Sequence, residues 1–277
     1  MPSEERLRQF YEAEYRQDYK KAVAPHRRHV LRAFRLAAER FEATRPFLPA
    51  SGRALDIGAG GGEWVTLLGR LGYRSSGIEP TLGYAEYAKA EYGAEVVTAP
   101  LNVAAINGTY DVVTAFHVLE HLPDPREALA RLRALLSSEP TARIVVEVPN
   151  VATVLQSNQS KFHFAHVIGF TPATLAAVAA RAGLALVADL TRSPHAEDVR
   201  MVFARGDGVP NALPHPGSVE RTRKVLSRRN RVHVNAIPNL FTKTMRSLEE
   251  RALTIGRSGA DIAHSIAEKT AARRASA

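Results

Sequence analysis

No cysteine occurs among the 277 residues, which excludes a disulfide framework and every thiolate metal site and fits a reducing cytoplasm. No apolar run approaches the roughly 18 residues of a membrane-spanning helix, and the opening MPSEERLRQFYEAEY is too charged for a secretory leader. A cytoplasmic protein is expected, one that at most rests peripherally on the inner face of a membrane. Repeats and low-complexity tracts are also missing. What is there is ordinary for a globular chain. Hydrophobic residues make up 45% and charged residues 23%, enough to bury a core in one domain with appendages or in two small domains.

The net charge of +9 is unevenly placed. Residues 206–277 carry 13 Lys and Arg against 6 Asp and Glu, whereas the rest of the chain is nearly balanced at 24 against 22. The basic character therefore belongs to the tail. Its stretch RTRKVLSRRNR holds six cationic residues and no aromatic one, so it offers charge without a stacking platform for single-stranded nucleic acid. A solvated arm, or contact with an anionic lipid surface aided by an amphipathic helix over residues 239–255, ranks ahead of nucleic acid and self-association. The oligomeric state is not legible.

Residues 3–44 read as helix, with Val30, Phe34, Ala37 and Phe41 recurring at three- and four-residue intervals. From Arg53 the texture changes. ALDIG, SSGIEP, AEVVTA, DVVTAFH, RIVVEVP, LALVADLT and VRMVFAR read as strands, with amphipathic stretches between most of them. Apolar strands alternating with helices specify an α/β fold, a mostly parallel Rossmann-like sheet of seven strands covered on both faces. Only a short segment separates the last two runs, too little for a crossover helix, so the final strand is expected to be antiparallel. Left-handed helix caps are expected at Gly72, Gly93 and Gly183.

The stretch LDIGAGGGEW, residues 55–64, places four glycines within five residues behind an apolar strand. A dinucleotide loop would read G-x-G-x-x-G, but from Gly58 the third position is Glu63; no Gly-Lys-Ser/Thr follows either, which excludes a triphosphate loop. Asp56 and Glu63 flank a helix N-terminus that would otherwise favour a phosphate. Carboxylates there suit a cationic ligand, such as the sulfonium and α-ammonium of S-adenosylmethionine. Glu79, at the end of the second strand, stands where a carboxylate accepts hydrogen bonds from ribose hydroxyls.

With these features in place the chain resembles the class I S-adenosylmethionine-dependent methyltransferases, and within them the small-molecule O-methyltransferases that include the ubiquinone-biosynthesis enzymes. LDIGAGGGEW, GIEP, YDVVTAFHVLEHLPDP and HFAHVIGFTPATLAAVAARAGL carry the resemblance. It implies that Asp56, Gly58, Ala59 and Gly60 line the methionine portion of S-adenosylmethionine and that Glu79 holds its ribose. It also implies that Pro80, Leu101 and Asn102 lie by the adenine and that Phe116 and His117 border the methyl-transfer site. The acceptor would be a small molecule, a lipid-linked intermediate or a glycan. The corresponding division is an N-terminal helical cap over residues 1–49, a methyltransferase domain over 50–206, and a proline-rich linker with a basic helical tail over 207–277. N- or C-methylation, and RNA modification using the tail, are the alternative activities.

Methyl transfer from a sulfonium is a displacement at carbon, so a protein supplies alignment and desolvation and, for a protonated acceptor, removal of a proton. His117 is the natural candidate for that proton, with His163 and His166 on an opposite wall. Each has a plain alternative as a pocket-lining residue. Glu120 and His121 read as ordering the turn before the helix that Pro125 begins, and Glu147 as a buried, paired carboxylate. Tyr11, Tyr15 and Tyr19 form an aromatic stripe that either packs on the sheet or closes over the ligands as a lid. The acids and histidines show no tight ligand cluster, so no metal is expected.

Overall fold

A computed structural model of the protein describes residues 25, 27–99, 106, 108–153, 165–193, 196–209, 211–214, 217–227, 245 and 247–276. Among them, β1 (Gly52–Ile57), β2 (Tyr73–Glu79), β3 (Glu95–Thr98), β4 (Val112–Phe116), β5 (Arg143–Pro149), β6 (Leu184–Asp189) and β7 (Asp198–Arg205) form one seven-stranded sheet in the order β3-β2-β1-β4-β5-β7-β6. The β1–β2, β2–β3 and β4–β5 pairs are parallel, and β7 runs antiparallel to both β5 and β6. The expected α/β fold is therefore the observed one. Gly72, Gly93 and Gly183 adopt the positive φ their caps require. The edges depart from strands apolar on both faces, because an edge strand has a neighbour on one side only; β3 leaves Val97 exposed and β6 leaves Leu186 and Val187 exposed.

The chain divides into two compact units. The first joins Pro2–Leu101 to Pro238–Ala277. Its helices are α1 (Arg27–Thr44), α2 (Glu63–Arg70), α3 (Leu82–Tyr92) and, after a helical stretch at 247–254, the C-terminal Gly259–Ala275. The periodic residues of α1 are buried as their spacing demands: Val30, Leu31 and Phe34 form one apolar cluster with Ile262 and Ala263 of the C-terminal helix, against which Tyr87 and Tyr92 pack. Polar contacts fix the same arrangement. Arg274 donates to the carbonyls of Leu71 and Ala50, the Ala260 amide donates to Glu91, and Arg32 holds the buried Glu250 carboxylate at 2.6 Å. Glu249 pairs with Arg35. The last helix is thus a packed wall of this unit as well as the end of the basic tail.

The second unit, Asn102–Ile237, holds β4 to β7 with α4 (Pro125–Leu135), α5 (Pro172–Arg181) and α6 (Ser218–Ser227), so the C-terminal helix is α7 in chain order. Its core is aliphatic, built from Val112, Val113, Ile144, Val145, Val146, Met201, Val202 and Phe203 of the strands with Leu129, Leu132 and Leu175 of the helices. Asp124 caps α4 by accepting from the Glu127 amide. Thr171 and Thr174 cap α5 reciprocally, ahead of Pro172 at its first position. Val112 and Val113 pair with Arg143 and Ile144, and Glu147 and Pro149 pair with Arg200 and Asp198. That register gathers the carboxyl ends of β4 and β5 and the start of β7 at one edge.

Candidate functional site

In the first unit the glycine stretch turns β1 into α2. Gly58, Gly60 and Gly62 have φ of 77°, 55° and 79°, a region an L side chain enters only with strain. The amides of Gly58 and Ala59 both donate to the Ile78 carbonyl at 2.8 Å, which ties the loop to β2. Glu79 completes the tie: one carboxylate oxygen accepts from the Gly60 amide at 2.9 Å and the other from the Thr81 amide at 3.1 Å. Asp56 and Glu79 are buried, and Pro80 follows at the half-exposed rim. These side chains are anionic and neutral, which fits a cationic amino-acid ligand such as the methionine end of S-adenosylmethionine better than a phosphate.

One participant escaped the sequence reading. A Cβ on Gly77 would stand 2.6 Å from the Ala59 Cβ and 2.9 Å from Val65, so the loop seats only on a glycine at that place in β2. The signal was a glycine inside an otherwise regular strand. Leu101 and Asn102 lie outside the described residues, as do Tyr11, Tyr15, Tyr19 and His163.

In the second unit β4 ends at the buried Phe116, and His117 follows with φ 56°, the one positive φ outside glycine among the described residues. Its amide donates to the Glu147 carbonyl at 2.8 Å. Its ring is ringed by carboxylates: Nδ1 lies 3.5 Å from Glu120, and Nε2 lies 3.2 Å from Glu147 and 3.7 Å from Asp198. Desolvation disfavours the charged ring, but its hydrogen bonds to Glu120 and Glu147 and the nearby Asp198 charge outweigh that and raise its pKa to about 10. At neutral pH the imidazole therefore carries a proton; it donates, and to serve as a base it would first have to be discharged. Glu147 is the buried, paired carboxylate expected of it, its other oxygen accepting from Arg200 Nε at 2.5 Å.

His166 does not stand with His117. Its ring meets that of His121, with centroids 5.0 Å apart, and His121 Nδ1 lies 2.9 Å from the Ala165 carbonyl, joining the turn after β4 to the segment before α5. The turn-ordering role read for His121 is thus visible. Burial favours the neutral form of Glu120, but His117 and His121 outweigh it and hold its pKa below the usual carboxylate value. Two groups of metal-binding residue types come together, contrary to the expectation of no tight cluster. Ligand atoms of Glu120, His121 and His166, and separately of His117, Glu147 and Asp198, lie within 4.8 Å of one another. In the second group Arg200 and the protonated His117 already supply the positive charge that a cation would.

The sequence profile of the family described as "Methyltransferase domain" matches residues 26–189. Ubiquinone biosynthesis O-methyltransferase of Burkholderia cenocepacia is 38% identical over 94 residues, 31% of this chain and 40% of that protein. The enzyme of the same name from Aeromonas salmonicida is 34% identical over 105 residues, 35% of this chain and 43% of that one. The chain thus spans about two fifths of the length of these relatives. Among solved structures, magnesium protoporphyrin IX methyltransferase from Synechocystis PCC 6803, with bound SAH, superposes with a TM-score of 0.55 at 14% identity over 74% of this chain and 100% of its own. A SAM-dependent methyltransferase from Thermotoga maritima gives 0.52 at 18% identity, over 72% and 99%. At these identities the likeness is one of fold.

Proposed function

The chain belongs to the methyltransferase domain family, and from that premise we propose that it transfers the methyl group of S-adenosylmethionine to a hydroxyl oxygen of a small molecule. The observation that carries the reading is the glycine loop held to Glu79 through the Gly60 amide. In it a carboxylate and close backbone approach meet at the carboxyl end of a parallel strand, where such folds bind ligands. The O-methyltransferase names of the relatives support oxygen as the receiving atom. Asp56, Gly58, Ala59 and Gly60 would hold the amino-acid end, Glu79 the ribose, and Pro80 with Leu101 and Asn102 the adenine; Phe116 and His117 would border the reacting atoms. The bound group supplies an electrophilic methyl on a sulfonium. The chain supplies orientation and the exclusion of water.

A lipid-linked intermediate or a glycan falls within the acceptor class. No helix among the described residues is long and apolar enough to cross a membrane. The exposed Met245, Leu248 and Ile255 of the basic tail favour a cytoplasmic protein lying against an anionic membrane surface. We take residues 50–206 as the methyltransferase domain proper, flanked by the cap and the tail.

Calorimetry with S-adenosylhomocysteine tests the reading. Gly58→Val, which places a branched side chain at φ 77° in the loop, is expected to abolish binding, and Glu79→Ala to weaken it by tenfold or more. Wild-type affinity in both variants removes the ligand from this loop.

A further inference from the structure

The glycine loop opens α2, and α3 lies against it. Gly62 caps α2 at φ 79°, and a Cβ there would stand 2.7 Å from the Ala88 Cβ of α3. Ala59 of the loop, Val65 of α2, Ala88 of α3 and Ala94 form one buried apolar cluster, with Tyr92 packed on it. Tyr92 also packs on the cluster that Val30, Leu31 and Phe34 of α1 build with Ile262 and Ala263 of α7. Its ring stands edge-on to Phe34 and to Tyr87, with centroids 5.3 Å and 5.6 Å away, and its hydroxyl donates to the Tyr87 hydroxyl at 3.3 Å. One side chain thus joins the packing of the glycine loop to the packing of the last helix.

α7 grips the same two helices. At its start Gly259 backs onto α3, where a Cβ would stand 2.8 Å from Glu91 Cγ and 2.9 Å from the Tyr87 hydroxyl, and the Ala260 amide donates to Glu91 at 3.1 Å. At its other end Arg274 donates at 2.8 Å to the carbonyl of Leu71, which closes α2, and to that of Ala50 ahead of β1. The 17 residues of α7, about 25 Å of helix, therefore bridge α2 and α3. A terminal helix is ordered only by what ties it down. Here the apolar tie is small: Ile262, Ala263 and Ala267 are buried, and the exposed Gly256, with φ 70°, joins α7 to the preceding stretch. Docked and released α7 are two states of one element, and such an element can carry coupling.

We propose that α7 is a strap whose docking positions the glycine loop through Tyr92, and that a ligand in the loop tightens the strap in turn. The proposal rests on the reading that the loop holds S-adenosylmethionine. With α7 docked, Tyr92 is clamped against Phe34 and Tyr87, and α3 stays closed on Gly62. With α7 released, Tyr92 loses the support of Ile262 and Ala263, α3 gains freedom beside Gly62, and the ligand itself must order the loop. Linkage makes the effect reciprocal: the factor by which release lowers ligand affinity is the factor by which bound ligand disfavours release. Tyr92 acts through Ala59 and Ala88 and is a positioning residue.

The test uses the full-length protein and S-adenosylhomocysteine, with affinity read by calorimetry and the docking of α7 by hydrogen exchange of residues 259–275. Saturating S-adenosylhomocysteine is expected to slow exchange there about tenfold. Gly259→Val, which wedges α7 off Glu91 and Tyr87, is expected to speed that exchange and weaken binding about tenfold, while the β1 amides stay protected. Arg274→Gln, which frees the other end, should move both readouts the same way by a smaller factor. Tyr92→Leu is expected to bind the ligand without slowing exchange in α7, and Tyr92→Phe, which keeps the ring, to restore the link. Unchanged α7 exchange in the saturated wild type overturns the proposal, as does fast exchange at wild-type affinity in either α7 variant. Full ligand protection of α7 in Tyr92→Leu overturns it as well. Failure of the wild-type protein to bind S-adenosylhomocysteine would instead sink the reading of the loop on which the proposal stands.

Discussion

His117 shows how far a residue's neighbours can reset its chemistry. A histidine near its ordinary pKa is a proton acceptor at pH 7; three carboxylates raise this one to about 10. Because the folded value exceeds the unfolded value of 6.5, the stabilisation is complete below pH 6.5 and is lost as the pH climbs through about 10. Thermal midpoints measured from pH 6.5 to 10 should therefore fall more steeply for the wild type than for His117→Gln, and parallel curves would show that the ring gains no proton from its surroundings. The glycine loop was legible in the sequence because its elements are neighbours in the chain: Gly58, Gly60 and Gly62 declare a tight strand-to-helix turn without help from the fold. The His117 cluster was not. Glu147, Asp198 and Arg200 arrive from β5 and β7, and only the register of those strands brings them to His117. The available hint was a pair of charges, Asp198 and Arg200, two positions apart in an apolar strand.

Elements are legible in the sequence where local chemistry is strong. All seven strands and the four helices between them are found where apolar runs, proline starts and glycine stops placed them. Helix α5 illustrates why. Thr171 accepts from the Thr174 amide while Thr174 closes the box on the Thr171 amide, and Pro172 occupies the first turn without needing a donor. Thr171→Ala should cost about 1 kcal/mol in stability, measured by urea denaturation. A larger loss would mean that the segment holding His166 against His121 depends on this cap. The exposure of β6 was not legible, because an edge position follows from strand order, which no single strand encodes.

For the whole molecule the tail is the element most changed by structure. An Ala-rich, basic sequence reads as an appendage, but Ile262 and Ala263 are fully buried against Val30 and Phe34. Ile262→Ala should cost about 2–5 kcal/mol, and truncation after Gly206 should abolish S-adenosylhomocysteine binding along with the cooperative thermal transition. A truncated chain that melts as the wild type does would show that α7 is dispensable. The tail's charge is better probed without cutting it. Replacing Arg221, Arg223, Lys224, Arg228, Arg229 and Arg231 by Gln should weaken co-sedimentation with phosphatidylglycerol vesicles, in a salt-dependent manner, and leave the thermal midpoint within about 2 °C, since the three in α6 are exposed. Salt-independent binding would place the contact in apolar residues instead.

The docking of α7 also sets an order of events during synthesis. Arg32 and Glu250 meet across 218 positions, and Val30 and Phe34 pack on Ile262 and Ala263 further along still, so the unit that holds α1 cannot close its core until α7 has left the ribosome. At translation rates of about 5–20 residues per second, Val30 and Phe34 wait on the order of ten seconds or more for Ile262. The second unit, made entirely of intervening residues, is free to form during that interval. Contacts of such long range are slow to nucleate, and a chain cut ahead of Ile262 would be left with an open apolar face on α1.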